Sequence, residues 1–185
     1  MPKIALYGLP GAGKSTAAQV LTQELASERV EVVRLRLAEP LYEAQRTIYA
    51  LAGRPLTNDT QQDGHLLNLL GTQMRRINPD ALTGPFTFRV RRAEAESPKA
   101  LLLCDDLRAP DADTVTRLGF RLVEIYAPAA LRQSRRQARG DLSAGDENHP
   151  TEVPPNVEPW RRIDNAGDLA EYRERLAALA RELIA

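Results

Sequence analysis

The chain has 185 residues, enough for one α/β domain with a full core and a tight fit for two. Lys plus Arg and Asp plus Glu each number 25, so the formal charge is zero, no overall basic field gathers nucleic acid, and a nucleic-acid partner is not implied. The single cysteine, Cys104, excludes an internal disulfide, no run approaches the roughly 18 apolar residues of a membrane span, and Met1 to Leu6 lacks the apolar stretch of a secretion signal, so a cytoplasmic protein is expected.

Ile4 to Tyr7 is a short apolar run ending at Gly8, and Lys14 to Ser27 carries apolar residues at helical spacing (Ala17, Val20, Leu21, Leu25). That is strand, glycine loop, helix. Val30 to Leu37 alternates apolar and charged residues and reads as a second strand with one face partly open. A helix is expected from Glu39 to Ala52, led by Pro40 and stopped by Gly53, and another over about Gln61 to Ile77 after a loop at Asn58 to Thr60. Asn78-Pro79 breaks that helix, and a further one runs from Asp80 or Pro85 to Glu96. Ala100 to Cys104 is a continuous apolar run bounded by Asp105-Asp106, as expected of a central strand in a parallel sheet, where Cys104 reads as a buried thiol. Helix Pro110 to Leu118, strand Phe120 to Tyr126 and helix Ala129 to Arg139 follow. Gly140 to Pro159 reads as a mobile loop, Arg161 to Asp164 as a weak last strand, and Asp168 to Ile184 as a final amphipathic helix. The alternation implies a parallel sheet covered on both faces, with the Gly8 and Asp105-Asp106 strand ends at one site.

Gly8-Leu9-Pro10-Gly11-Ala12-Gly13-Lys14-Ser15, followed by Thr16, matches the GxxxxGK[ST] phosphate loop. Glycines at these spacings let successive N–H groups turn inward, and the helix that starts here adds its positive end. Lys14 is expected to bridge the β- and γ-phosphates of ATP and Ser15 to occupy a magnesium position. The motif does not come with a GTPase base-reading sequence, because Ala166 stands where the lysine of Asn-Lys-x-Asp belongs in Asn165 to Asp168.

At the end of the third strand, alternation gives Asp106 the outward direction of Arg108, leaving Asp105 as the candidate magnesium-side carboxylate. A carboxylate there can hold water on magnesium or take the proton of an attacking oxygen, and the arginine can grip a phosphate. Arg132, Arg135, Arg136 and Arg139 recur three or four apart, so they share one helical face and suit a lid that surrounds the transferred phosphoryl group and excludes water. Of these, Arg132 and Arg136 are the catalytic candidates. Arg75 or Arg76 can hold an acceptor phosphate with Thr72 one turn back, and Arg36 and Arg46 are secondary candidates. His65 and His149 read as surface or hydrogen-bonding groups, and two histidines with one cysteine do not suggest zinc.

These residues, with several later stretches in order, resemble the phage-type deoxynucleoside monophosphate kinase family of P-loop kinases. The stretches are Leu37-Ala38-Glu39-Pro40-Leu41; Leu66 to Thr72 with Arg75 or Arg76 and then Pro79-Asp80; Asp106-Leu107-Arg108 with Pro110; His149-Pro150-Thr151-Glu152; and Ile163-Asp164-Asn165 with Gly167. The departures are Glu39 for an aspartate, Asn68 for a glutamine, Thr151 for a serine, and Ala81 and Leu82 where the family tends to have an aromatic residue.

The resemblance implies a three-layer αβα fold with a mainly parallel five-stranded sheet in a single domain, 1–185. Acceptor-binding helices would occupy about 38–97 and an arginine-rich lid about 128–158. It also implies ATP and Mg2+ as cofactors, a nucleoside monophosphate as phosphate acceptor, Asn165 beside the adenine, and Arg36, Asn68, Thr72, Arg75, Arg76 and Glu152 at the acceptor. A homodimer is compatible with it. Two alternatives stay open: a P-loop kinase for another small metabolite, such as a dephospho-coenzyme A-like acceptor, and an ATP-binding regulatory protein without transfer activity.

Overall fold

A computed structural model describes residues 2–58, 61–139, 142–143 and 153–184. Expectations for His149, Thr151 and Glu152, and for most of the 140–159 loop, fall outside the described residues. Five strands, β1 (Lys3–Tyr7), β2 (Val32–Leu35), β3 (Leu101–Cys104), β4 (Arg121–Tyr126) and β5 (Arg161–Asp164), form one sheet in the order β2-β3-β1-β4-β5. All four pairings are parallel, so the sheet is wholly rather than mainly parallel. The helices are α1 (Lys14–Ser27), α2 (Glu39–Leu51), α3 (Gly64–Ile77), α4 (Thr83–Glu96), α5 (Ala112–Arg117), α6 (Ala129–Arg139) and α7 (Leu169–Ile184).

The central strands are apolar on both sides because both sides are covered. Ile4 and Leu6 of β1 pack with Leu21 and Leu25 of α1 and Leu176 and Leu179 of α7, whereas Ala5 and Tyr7 face Phe86 and Val90 of α4 and Val115 of α5. Leu101 and Leu103 of β3 join the first group and Leu102 and Cys104 the second. Period-two alternation thus divides one sheet between two helical layers.

Several boundaries differ from the sequence reading, each for a local reason. The second strand ends at Leu35 and not at Leu37, since the amides of Leu37 and Ala38 both donate to the Asp106 carboxylate at 2.9 Å. α3 begins at Gly64 instead of Gln61, because Asp63 is its cap and accepts from the Leu66 amide at 3.0 Å. α4 starts at Thr83, which puts Pro85 in the first turn, where a missing N–H is harmless. Pro110 heads a single tight turn, Ala109–Asp111, before α5.

The register pairs Ala5 with Cys104, so Gly8 and the Asp105-Asp106 pair emerge at the same edge of adjacent strands, as the sequence implied. β3 and β4 flank β1 on opposite sides, making this edge the topological switch point where doubly wound sheets bind ligands. Beyond that edge Asp63 gathers three donors: the Leu66 amide, the Tyr49 hydroxyl at 2.7 Å and the Ser143 hydroxyl. Desolvation pushes this carboxyl upward, but the Ser143, Leu66 and Tyr49 hydrogen bonds outweigh it and hold Asp63 below the usual carboxylate range.

Asp63→Ala is therefore expected to lower unfolding free energy by about 1–2 kcal/mol at neutral pH in urea titrations. A depressed carboxyl contributes stability in full above its unfolded pKa, and that contribution fades as pH falls through the folded value. The gap between wild type and variant should accordingly narrow on acidification. An unchanged gap at low pH would show that the charge of Asp63 does not stabilise the fold.

Candidate active site

The phosphate loop is built from three positive-φ glycines, Gly8, Gly11 (φ 81°) and Gly13, and a ring of outside supports. Gly8 (φ 145°) and Gly13 (φ 106°) both lie in the left-handed half of backbone space. A Cβ on Gly8 would overlap the Ile125 carbonyl oxygen, and one on Gly13 would overlap the Asn165 side chain. The loop carbonyls are taken up one by one. Lys14 Nζ donates to Gly8 O at 2.7 Å and to Leu9 O at 3.3 Å, and Arg132 reaches Pro10 O at 3.4 Å. Asn165 Nδ2 donates to Ala12 O at 2.7 Å and the Tyr172 hydroxyl to Gly13 O at 3.1 Å.

On its other side the loop borders a cavity of about 960 Å3. Pro10, Gly11, Gly13, Lys14, Ser15 and Thr16 line it together with Asp105, Asp106 and Arg108 from the end of the adjacent strand β3. Arg34 and Arg36 enter from the end of β2, Tyr42 from α2, and Arg135 and Arg136 from α6. Gly8 and Ala12 do not line the cavity, and Ala12 is buried behind the loop. Asn165 is likewise only 4% exposed; its Oδ1 and main-chain oxygen accept from Arg135 at 3.2 Å each, so it braces both the loop and α6.

The two aspartates hold different partners. Asp105, 5% exposed, receives the Arg34 guanidinium through two nitrogens, with Nε at 2.9 Å. Asp106 receives the two amides that start α2. Burial pushes the Asp106 carboxyl above its ordinary range; the Ala38 and Leu37 amides oppose that shift and the Asp105 charge reinforces it. Burial also raises the neighbouring Cys104 thiol, which keeps it an inert core group.

Other expected site residues lie elsewhere. Arg75 pairs with the buried Asp111 at 2.7 Å and Arg76 Nε bonds Gln73 at 2.9 Å. The Thr72 hydroxyl donates to Asn68 O at 3.0 Å, and Asn68 Nδ2 is buried with no hydrogen-bond partner among the described residues. None of these four lines the cavity. Arg132, 7% exposed, sits behind the loop while Arg135 and Arg136 reach the wall. Glu152 lies outside the described residues. Sequence reasoning missed Arg34 and Tyr42 in the cavity lining, along with Gln19, Thr22, Gln23, Val32 and Gln62. The alternation of β2, which puts Arg34 and Arg36 on one side, was the available signal for the first; nothing in the pattern marked Tyr42.

The amino-acid sequence matches no family model and no curated protein. Solved structures do match along nearly the whole chain. TT1252 from Thermus thermophilus is 23% identical with a TM-score of 0.57, covering 98% of this chain and 97% of that one. The Mycobacterium tuberculosis APS kinase CysC, solved with AMPPNP and APS, is 14% identical with a TM-score of 0.52 over 99% and 95% of the two chains. A gluconokinase from Sinorhizobium meliloti 1021 is 17% identical, also with a TM-score of 0.52, over 99% and 95%. At these identities the likeness is one of fold: the chain has the three-layer αβα fold of P-loop kinases.

Asn165→Ala leaves the buried Ala12 carbonyl without its donor and is expected to cost about 1–3 kcal/mol in chemical denaturation. Gly13→Ala should cost about 2 kcal/mol or more from backbone strain and overlap. Because the overlap is with Asn165 itself, Gly13→Ala should cost less in the Asn165→Ala background than alone. Strict additivity would show that the two residues are not in contact.

Proposed function

We propose that the protein is an ATP- and magnesium-dependent kinase that transfers the γ-phosphoryl group to a small acceptor, a nucleoside 5′-monophosphate. One observation carries the reading: a GxxxxGK[ST] loop with positive-φ glycines shares a cavity ringed by arginines with two strand-end aspartates and Arg108. The APS kinase of the same fold, solved with AMPPNP and APS, supports nucleotide use. The ordered matches to the phage-type deoxynucleoside monophosphate kinases support the acceptor class.

Residue roles follow from position. Pro10, Gly11 and Gly13 form the cavity side of the polyphosphate cradle, with Ala12 behind them and Thr16 beside, and Lys14 neutralises its terminal phosphates. The Ser15 hydroxyl and the Asp105 carboxylate, hard oxygen donors that both line the cavity, would hold magnesium, with the ion taking the place of Arg34 at Asp105; magnesium takes few protein ligands beside phosphate and water. When bound, the ion would supply charge neutralisation between the phosphates. Arg108, Arg135 and Arg136 line the space around the transferred group, where positive charge stabilises the transition state. Arg132 acts from behind by fixing Pro10. In transfer, the acceptor oxygen forms a bond to the γ-phosphorus as the bond to the β-bridging oxygen breaks, and ADP leaves with that electron pair.

The nature of the acceptor decides what Asp106 does. A phosphate oxygen attacks already ionised, and Asp106 then serves chiefly to hold the turn that starts α2. A hydroxyl must lose its proton, and the raised Asp106 carboxyl is suited to take it. The place of the Asp106 carboxylate on the cavity lining, beside Arg108, favours a second reading, a hydroxyl-bearing metabolite as acceptor.

A steady-state panel of ribo- and deoxyribonucleoside monophosphates with ATP and Mg2+ tests the leading reading. At least one should give ADP well above background, whereas none doing so removes it. With the active acceptor, Arg136→Ala should lower kcat by about a hundredfold while sparing resting ATP affinity. Lys14→Ala should weaken both. A Lys14→Ala protein with full ATP affinity and turnover would refute the site itself.

A further inference from the structure

Beside the main cavity lies a second, of about 330 Å3, lined by Arg34, Leu35, Arg36, Glu39 and Arg89. Arg34 and Arg36 stand in the wall between the two, since both line each. The lining carries three guanidiniums against one carboxylate, and that carboxylate, Glu39, lies 3.7 Å from a fourth arginine, Arg46. Neither Arg36 nor Arg89 has a carboxylate within ion-pair distance among the described residues.

Each guanidinium is nevertheless held in place. Arg34 is clamped by Asp105, Arg36 lies over the Tyr42 ring at 5.9 Å, and Arg89 donates through one nitrogen to the Arg36 carbonyl at 2.6 Å. Like charges fixed side by side repel, and an anion between them converts that cost into charge-assisted hydrogen bonds. The holding contacts use only part of each fork. Arg89 spends one nitrogen on the carbonyl, and Arg36 makes its contact through the ring face of Tyr42, so planar donors are left for a ligand.

We propose that this annex is an anion-binding subsite that takes a phosphate or carboxylate group, with Arg36 and Arg89 as its principal donors and Arg34 at its inner edge. Two sources share that chemistry: an acidic group of the acceptor reaching through from the main cavity, and a free small anion that occupies the annex beside it. Arg89 belongs to α4 and touches none of the groups assigned to phosphoryl transfer, so its charge can be removed separately.

Inorganic phosphate is the probe, titrated calorimetrically into Lys14→Ala protein, where the phosphate loop has lost its ammonium. Arg89→Gln in that background keeps a donor for the Arg36 carbonyl but loses the charge, whereas Arg89→Lys keeps the charge. Phosphate should bind saturably, about tenfold or more weakly after Arg89→Gln and within about threefold of the starting value after Arg89→Lys. Arg36→Gln serves as a second probe if Arg89→Gln does not fold. Absent saturable binding, or equal binding with and without the Arg89 charge, overturns the proposal.

A kinetic arm on otherwise native protein then identifies the source. A rise of about tenfold in acceptor KM on Arg89→Gln, with ATP KM unchanged, assigns the annex to the acceptor. Weakened phosphate binding with acceptor KM unchanged assigns it to a free anion. The phosphate titration needs no turnover, so it decides the subsite even where no acceptor is found and the kinase reading itself fails.

Discussion

A backbone that turns its amides toward a polyphosphate must turn its carbonyls away from it, and those carbonyls then need donors from the protein. This constraint organises the molecule. The loop from Gly8 to Gly13 is met by Lys14 from its own helix, Arg132 from α6, Asn165 from the end of β5 and Tyr172 from α7. Three of these four supports come from segments that follow the loop by more than a hundred residues, so the phosphate loop is a product of the whole fold. Asn165 also accepts from Arg135, which reaches the cavity, so the brace behind the loop and an arginine in front of it share one residue.

The end of the adjacent strand obeys a related logic. Three carboxylates follow β3, and each fastens a different part of the chain. Asp105 holds Arg34 at the end of β2, Asp106 holds the amides that begin α2, and Asp111 holds Arg75 of α3. Buried carboxylates are costly unless paired, and here pairing attaches the helices beyond β2 to the sheet. Arginine suits this work because its planar fork can satisfy both oxygens of a carboxylate or two acceptors of one residue, as at Asp105 and Asn165.

Much of this was readable from the chain because the signals were local. The phosphate loop announced itself by glycine spacing between an apolar run and a helical pattern, and Ala100 to Cys104 read as a central strand because a short continuous apolar run bounded by Asp105-Asp106 suits a strand covered on both faces, observed as Leu101–Cys104. What sequence could not supply were partners distant along the chain. Arg75 pairs with Asp111, 36 residues away, a partner that nothing near it in sequence revealed. Arg132 and Arg136 looked equivalent on one helical face, yet a single turn of helix separates a residue behind the loop from one on the cavity wall. The early end of β2 had the same origin, for the Asp106 carboxylate that captures Leu37 is 69 residues downstream.

The two sides of the cavity are joined by different forces, and that difference bears on how a ligand acts. Far from the phosphate loop, the Leu142–Ser143 segment bonds the entry to α3 through main-chain groups, Leu142 N to Gln62 O at 3.0 Å and Gly64 N to Ser143 O at 3.2 Å. Such bonds are insensitive to the charge of whatever lies between the arms. Near the loop, the contacts are ionic or made by cations: Arg34 with Asp105, Lys14 with the loop carbonyls, Arg135 with Asn165. A polyanion entering there competes directly with Asp105 and the loop carbonyls for those cations. The Leu142–Ser143 junction, by contrast, rests on main-chain bonds and on the Asp63 carboxylate, which accepts from the Ser143 hydroxyl.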